Sequence, residues 1–103
     1  MTRMYIKAIL IIGAFLIATP GYGADIFNGK KVYKSRCAMC HGDDGKGIMP
    51  GAPDFRRGQK LNKSDARLIK QIKKGKGSCP PFEGIIREKD MQDVISFLRT
   101  MRR

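Results

Sequence analysis

Five residues, Cys37-Ala38-Met39-Cys40-His41, constrain this chain more than any other stretch. They bring two thiols and an imidazole together in a sequence of 103 residues that has one further cysteine and no further histidine. About eighty residues remain once the N-terminal segment described next is set aside. A chain of that size buries a modest share of its surface and is commonly held by a disulfide, a metal or a large cofactor. The five-residue cluster is where such a cross-link would be made.

The N-terminus reads Arg3 and Lys7, then the apolar run Ala8 to Ala18, then small residues around Pro20. This is the pattern of a secretory signal peptide, residues 1–23, with cleavage after Gly23 or Ala24. Eleven apolar residues are too few to span a bilayer, which takes roughly twenty, so no stable membrane insertion is expected after cleavage. Loss of Arg3 and Lys7 leaves 19 Lys plus Arg against the same 9 Asp plus Glu, a formal charge of +10. Nothing spaces aromatic residues among the basic ones as a stacking platform for nucleic acid would. An acidic protein partner fits the charge better, and a solvated basic face fits it as well.

Three cysteines in an exported protein cannot all pair with one another, so at least one has another task. C-x-x-C-H is the c-type haem attachment pattern, in which both thiols become thioethers to the haem and the adjoining histidine ligates the iron. Cys37 and Cys40 would be the anchors and His41 the axial nitrogen, with one covalently attached haem c as the cofactor. The competing readings lack their parts. A thioredoxin-like pair needs a βαβ setting that is not visible here, and a zinc site needs a second pair of ligands. A disulfide between Cys37 and Cys40 would close a very small loop in poor geometry.

Along the rest of the chain, Asp25 to Arg36 spaces Ile26, Phe27, Gly29, Val32 and Tyr33 for one helical face leading into the haem motif. Residues 42–58 carry five glycines and two prolines and read as an irregular loop around a planar ligand. Ser64 is a good N-cap for a second helix that presents Ala66, Leu68, Ile69 and Ile72 and stops at Gly75. Gly75 to Gly84 is loop again, because Pro80 and Pro81 have no amide hydrogen to give a helix. A last helix runs from about Glu88 to Met101, with Met91, Val94, Ile95, Leu98 and Met101 on its apolar side and Phe97 beside them.

On these residues the chain resembles the small class I c-type cytochromes, over essentially all of residues 25–103. Gly29 and Tyr33 match the Gly-x-x-x-aromatic pattern of that family's first helix, Cys37 to Gly47 its haem segment, and Val94 to Arg99 the aromatic-Leu of its final helix. The resemblance implies an all-α class I cytochrome c fold over residues 24–103, with three main helices packed around the haem. It implies that the end helices cross, Gly29 and Tyr33 lying against Val94 and Phe97. It also implies a proline behind the proximal histidine, Pro53 in the first place and Pro50 in the second.

One position departs from the pattern. The family's distal ligand is usually a methionine followed by proline shortly before the last helix, and here Cys79 stands there, followed by Pro80. Three readings remain open. Cys79 is the distal ligand as a thiolate, which favours ferric iron and a low potential. Alternatively Met49, in its own Met-Pro pair, reaches the iron. In the third reading Cys79 is a free thiol beside an open site, available for small ligands, sulfur compounds or another chain. Met91 and Met101 are core fillers at helical spacing, and Met39 lies inside the attachment loop.

The function these readings support is an exported, periplasmic, monomeric carrier of single electrons. Leu68, Ile72, Phe82, Ile85 and Ile86 would form the low-dielectric wall of the haem site, and surrounding Lys and Arg would steer an acidic redox partner. No proton-transfer pair or second metal site is visible, so a carrier is expected rather than an enzyme. The alternatives are a protein of thiosulfate oxidation that uses a Cys-ligated haem, and a haem-based redox or gas sensor.

Overall fold

Asp25 starts the first helix, α1 (Ile26–Arg36), its carboxylate accepting a hydrogen bond from the Asn28 amide at 3.0 Å. The computed structural model describes residues 23–103; the predicted export signal lies outside them except for its last glycine. Lys34 and Arg36 complement the carbonyl end of α1. The helix breaks at Cys37, and one further turn, α2 (Ala38–His41), ends at Gly42 with a left-handed φ of 82°. The glycine-rich loop then leads to a 3₁₀ turn, Phe55–Arg57. Helix α3 (Asp65–Lys74) is capped by Ser64, which accepts from the Arg67 amide, and ends at Gly75. Helix α4 (Glu88–Thr100) closes the domain. Among the described residues there is no strand, only an isolated bridge between Lys76 and Cys79. The chain thus forms the all-α arrangement of three main helices expected of it.

The frame is the crossing of α1 and α4. Gly29 lies so close to α4 that a Cβ on it would sit 2.1 Å from the Asp93 carbonyl oxygen and 3.0 Å from the Phe97 Cβ. One turn later the Tyr33 and Phe97 rings meet at 5.5 Å, tilted by 59°, a favourable aromatic geometry. Arg99 fastens the segment before α3 onto α4, donating to the carbonyls of Leu61 at 2.8 Å and Lys63 at 2.9 Å and to the Asp65 carboxylate.

Beside the crossing lies a fully buried carboxylate, Asp93, and a buried charge is tolerable only when it is fully bonded. It accepts from the Asp25 amide at 2.8 Å, the Asn28 side chain at 2.7 Å and the Lys89 ammonium at 2.7 Å. Asn28 donates to Asp90 as well, at 2.7 Å. Burial raises the pKa of Asp93, but the bonds from Lys89, Asn28 and Asp25 outweigh it, and the net shift is downward. A carboxyl depressed in the folded state contributes stability above its unfolded pKa, about 3.9, and loses it as pH falls through the folded value. Urea unfolding is therefore expected to show stability falling below about pH 4. Asp93→Asn should cost about 2 kcal/mol at pH 7 and flatten that acid limb; an unchanged acid limb would remove Asp93 from the account.

Three expectations about facing side chains are corrected. Phe27 is 82% exposed and Ile26 44% exposed, so the packed face of α1 is Gly29, Val32 and Tyr33. Phe27 lies two residues from Gly29, about 200° around the helix, and points away from α4. Ala66 is exposed, leaving Leu68 as the buried residue of α3. Ile85 is 58% exposed, whereas its neighbour Ile86 is buried.

Candidate cofactor site

The attachment motif is held from both sides. Its last carbonyls, left without helical partners by the shortness of α2, accept from the loop that follows: His41 from the Gly47 amide at 2.7 Å, Cys40 from the Ile48 amide at 2.9 Å. From the other side the Tyr33 hydroxyl donates to the Gly42 carbonyl at 2.5 Å. The glycine-rich loop is thus a collar hung on the motif, and it closes where the Phe55 amide donates to the Gly45 carbonyl at 2.8 Å. At Gly45 a φ of +82° favours glycine, and a Cβ there would lie 2.7 Å from the Met101 sulfur, so collar and C-terminal segment pack closely here.

The core is hollow at this point. Tyr33, Phe55, Leu68, Ile95 and Leu98 are buried core residues, and all five also line a cavity of about 460 Å³, within the range of cofactor sites. Cys37, Cys40, His41 and Cys79 open onto the same cavity. All three cysteines are free thiols. Burial lowers the His41 pKa, so the neutral, ligating imidazole prevails at neutral pH. Two thiols and a neutral imidazole from one turn, facing an apolar void that the domain cannot fill by itself, fit a covalently attached haem.

Burial, then the nearby Cys79 and Cys40, pushes the Cys37 thiol up to about 11. Cys79 is raised too, by burial and then by Cys40, against the opposing effect of the Lys76 backbone amide on its thiol. Cys79 stands at the end of a tight turn in which its amide donates to the Lys76 carbonyl and the Lys76 amide donates back, both at 3.0 Å. Met49, the competing ligand, also lines the cavity, but its amide donates to the Cys40 carbonyl at 3.1 Å. Met49 is therefore tethered to the attachment motif itself, whereas Cys79 comes from the separate segment after α3.

The remaining expected site residues fall as follows. Pro53, Pro50, Leu68, Ile72, Phe82 and Ile86 line the cavity, and Ile85 does not. The ring packed on His41 belongs to Phe55, stacked at 4.8 Å and 27°, a contact that the sequence reading did not contain. The His41 Nδ1 is buried without a hydrogen-bond partner among the described residues, so stacking sets the ring's plane here. Arg36, Lys60, Lys63 and Lys76 line the cavity as well, and no acidic residue does.

Known proteins resemble this chain in sequence and in fold. Residues 24–98 match the family described as cytochrome C oxidase, cbb3-type, subunit III. Cytochrome c6 of Pyropia yezoensis is 32% identical over 91 residues, covering 85% of this chain and 79% of that protein. Cytochrome c6 of a Synechocystis species is 30% identical over 92 residues, covering 87% and 77%. Among solved structures, the KustC0563 c-type cytochrome gives a TM-score of 0.65 at 27% identity, over 73% of this chain and 98% of its own. Cytochrome c6 from the diatom Phaeodactylum tricornutum gives 0.64 at 21% identity, over 75% and 93%, a likeness of fold.

Proposed function

The chain belongs to the c-type cytochromes, as a small class I electron-transfer protein with one covalently attached haem c, and from that premise we propose that it is an exported, periplasmic carrier with His41 and Cys79 as axial ligands. When bound, the haem iron supplies reversible one-electron chemistry between its ferric and ferrous states. Cys37 and Cys40 anchor the group, and His41, its plane set by Phe55, offers the proximal nitrogen. Leu68, Ile72, Phe82 and Ile86 keep water from the site. Cys79 would hold the iron from the separate segment after α3, and as a thiolate it would lower the potential. Pro53 in the first place, or Pro50 in the second, would back the proximal side, and both line the cavity.

The observation that carries this reading is that four ligand-bearing residues from two separate segments line one apolar cavity. The basic rim supports the choice of partner: Arg36, Lys60, Lys63 and Lys76 present positive charge around the cavity that would hold the cofactor, with no carboxylate among the lining residues to offset it. Such a rim favours an acidic redox protein and fast, salt-sensitive encounter. The carrier acts as a monomer.

The test is a potentiometric titration of the secreted holoprotein with its intact mass. We expect one Nernstian wave of one electron, and a mass one haem above a chain that begins at residue 24 or 25. Colourless protein at the apoprotein mass would refute haem attachment. Catalytic turnover of thiosulfate by the holoprotein alone would assign it to sulfur-compound oxidation instead of carriage.

A further inference from the structure

We propose that Gly75 is the positioning residue for Cys79: the lack of a side chain there lets the Cys79 segment lie close enough to the end of α3 for its sulfur to stay on the iron. The inference rests on Cys79 as the distal ligand. Gly75 has a φ of +75°, and a Cβ built on it would lie 2.6 Å from the Cys79 carbonyl oxygen, 2.7 Å from the Pro81 nitrogen and 2.8 Å from the Pro80 carbonyl carbon. All three are backbone atoms, so no flexible side chain can turn aside to make room.

The segment cannot yield locally either. Pro80 and Pro81 fix their own φ angles. The Lys76 and Cys79 amides and carbonyls are bonded to each other at one end, and at the other the Phe82 amide donates to the Ile72 carbonyl at 3.1 Å. A side chain at position 75 must therefore displace Cys79 to Pro81 as a unit. The shortfall from van der Waals contact is roughly 0.8 Å. Metal–ligand distances tolerate about 0.2 Å, so a displacement of that size is enough to loosen the sulfur. Gly77 provides the control within the same turn, since it too is left-handed, at +59°, yet a Cβ there meets nothing within 4 Å.

The experiment compares the ferric holoproteins of wild type, Gly75→Ala, Gly77→Ala and Cys79→Ala by electron paramagnetic resonance and by imidazole binding. We expect Gly75→Ala to bind imidazole at least tenfold more tightly than wild type and to shift its ferric signal towards that of Cys79→Ala. Gly77→Ala should stay within twofold of wild type. Wild-type spectra in Cys79→Ala would sink the ligand assignment itself. Altered spectra in Cys79→Ala with wild-type behaviour in Gly75→Ala would sink only the positioning role, as would equal effects at positions 75 and 77. Loss of coloured protein in Gly75→Ala while Gly77→Ala matures normally would show that Gly75 serves folding and overturn the proposal.

Discussion

Alanine at position 29 should lower the melting temperature of the holoprotein by more than about 12 °C. Helix propensity alone predicts the opposite sign, since alanine in a helix interior is favoured over glycine by about 1 kcal/mol. Packing decides the outcome. The added methyl would lie 2.1 Å from the Asp93 carbonyl oxygen and 2.6 Å from its carbon, both part of the α4 backbone. Relief requires the two helices to separate along their line of closest approach, which also pulls apart the Tyr33–Phe97 pair and the bonds from Asp25 and Asn28 to Asp93. Overpacking of this kind costs 1–3 kcal/mol at ordinary core positions, and with rigid backbone on both sides we expect about 3 kcal/mol or more, against a typical total of 5–15 kcal/mol. Gly84→Ala is the comparison, a glycine of positive φ with open space around it, for which a loss of roughly 1–2 kcal/mol is expected from the backbone alone. A Gly29→Ala protein as stable as wild type in a thermal melt would mean that α1 and α4 do not cross as described.

What was legible in the sequence is what is local. Ser64 and Gly75 bound α3 because capping acts within a few residues, and the attachment motif is readable because its three functional atoms lie within five positions. What was hidden depends on distant partners. Asp93 reads as a solvent-facing charge on α4, and its burial follows from Asn28 and the Asp25 amide, 65 and 68 residues away. Phe55 gives no periodic signal because it sits in a three-residue 3₁₀ turn, yet the collar delivers it onto His41. Phe27 illustrates the opposite failure: an aromatic residue at the start of an amphipathic segment invites burial, but the contact with α4 is set by the close approach at Gly29. Arg99, a charged residue in the last turn of α4, looks like a simple complement to the helix end and instead ties down the Leu61–Asp65 segment through four bonds.

Replacing Cys79 by methionine should raise the reduction potential by about 0.3 V, a large part of the roughly 0.8 V over which axial ligands tune haem. The direction follows from charge. A thiolate places a negative charge against the iron and favours the ferric state, whereas a thioether is neutral and removes that preference. The structure supports accommodation of the longer side chain. The backbone of residue 79 is fixed by its two bonds with Lys76, the position is half-buried at the cavity edge, and methionine has three rotatable bonds with which to reach the same point. Stability should therefore change little while the potential moves far, a combination that ordinary core damage would not produce. Spectropotentiometry and the ferric electron paramagnetic resonance spectrum read the two consequences separately. A rise in potential together with a change from a thiolate-type to a thioether-type low-spin signal is the expected pair. An unchanged potential with an unchanged signal would take Cys79 off the iron and leave Met49, or an open position, as the account of the sixth site.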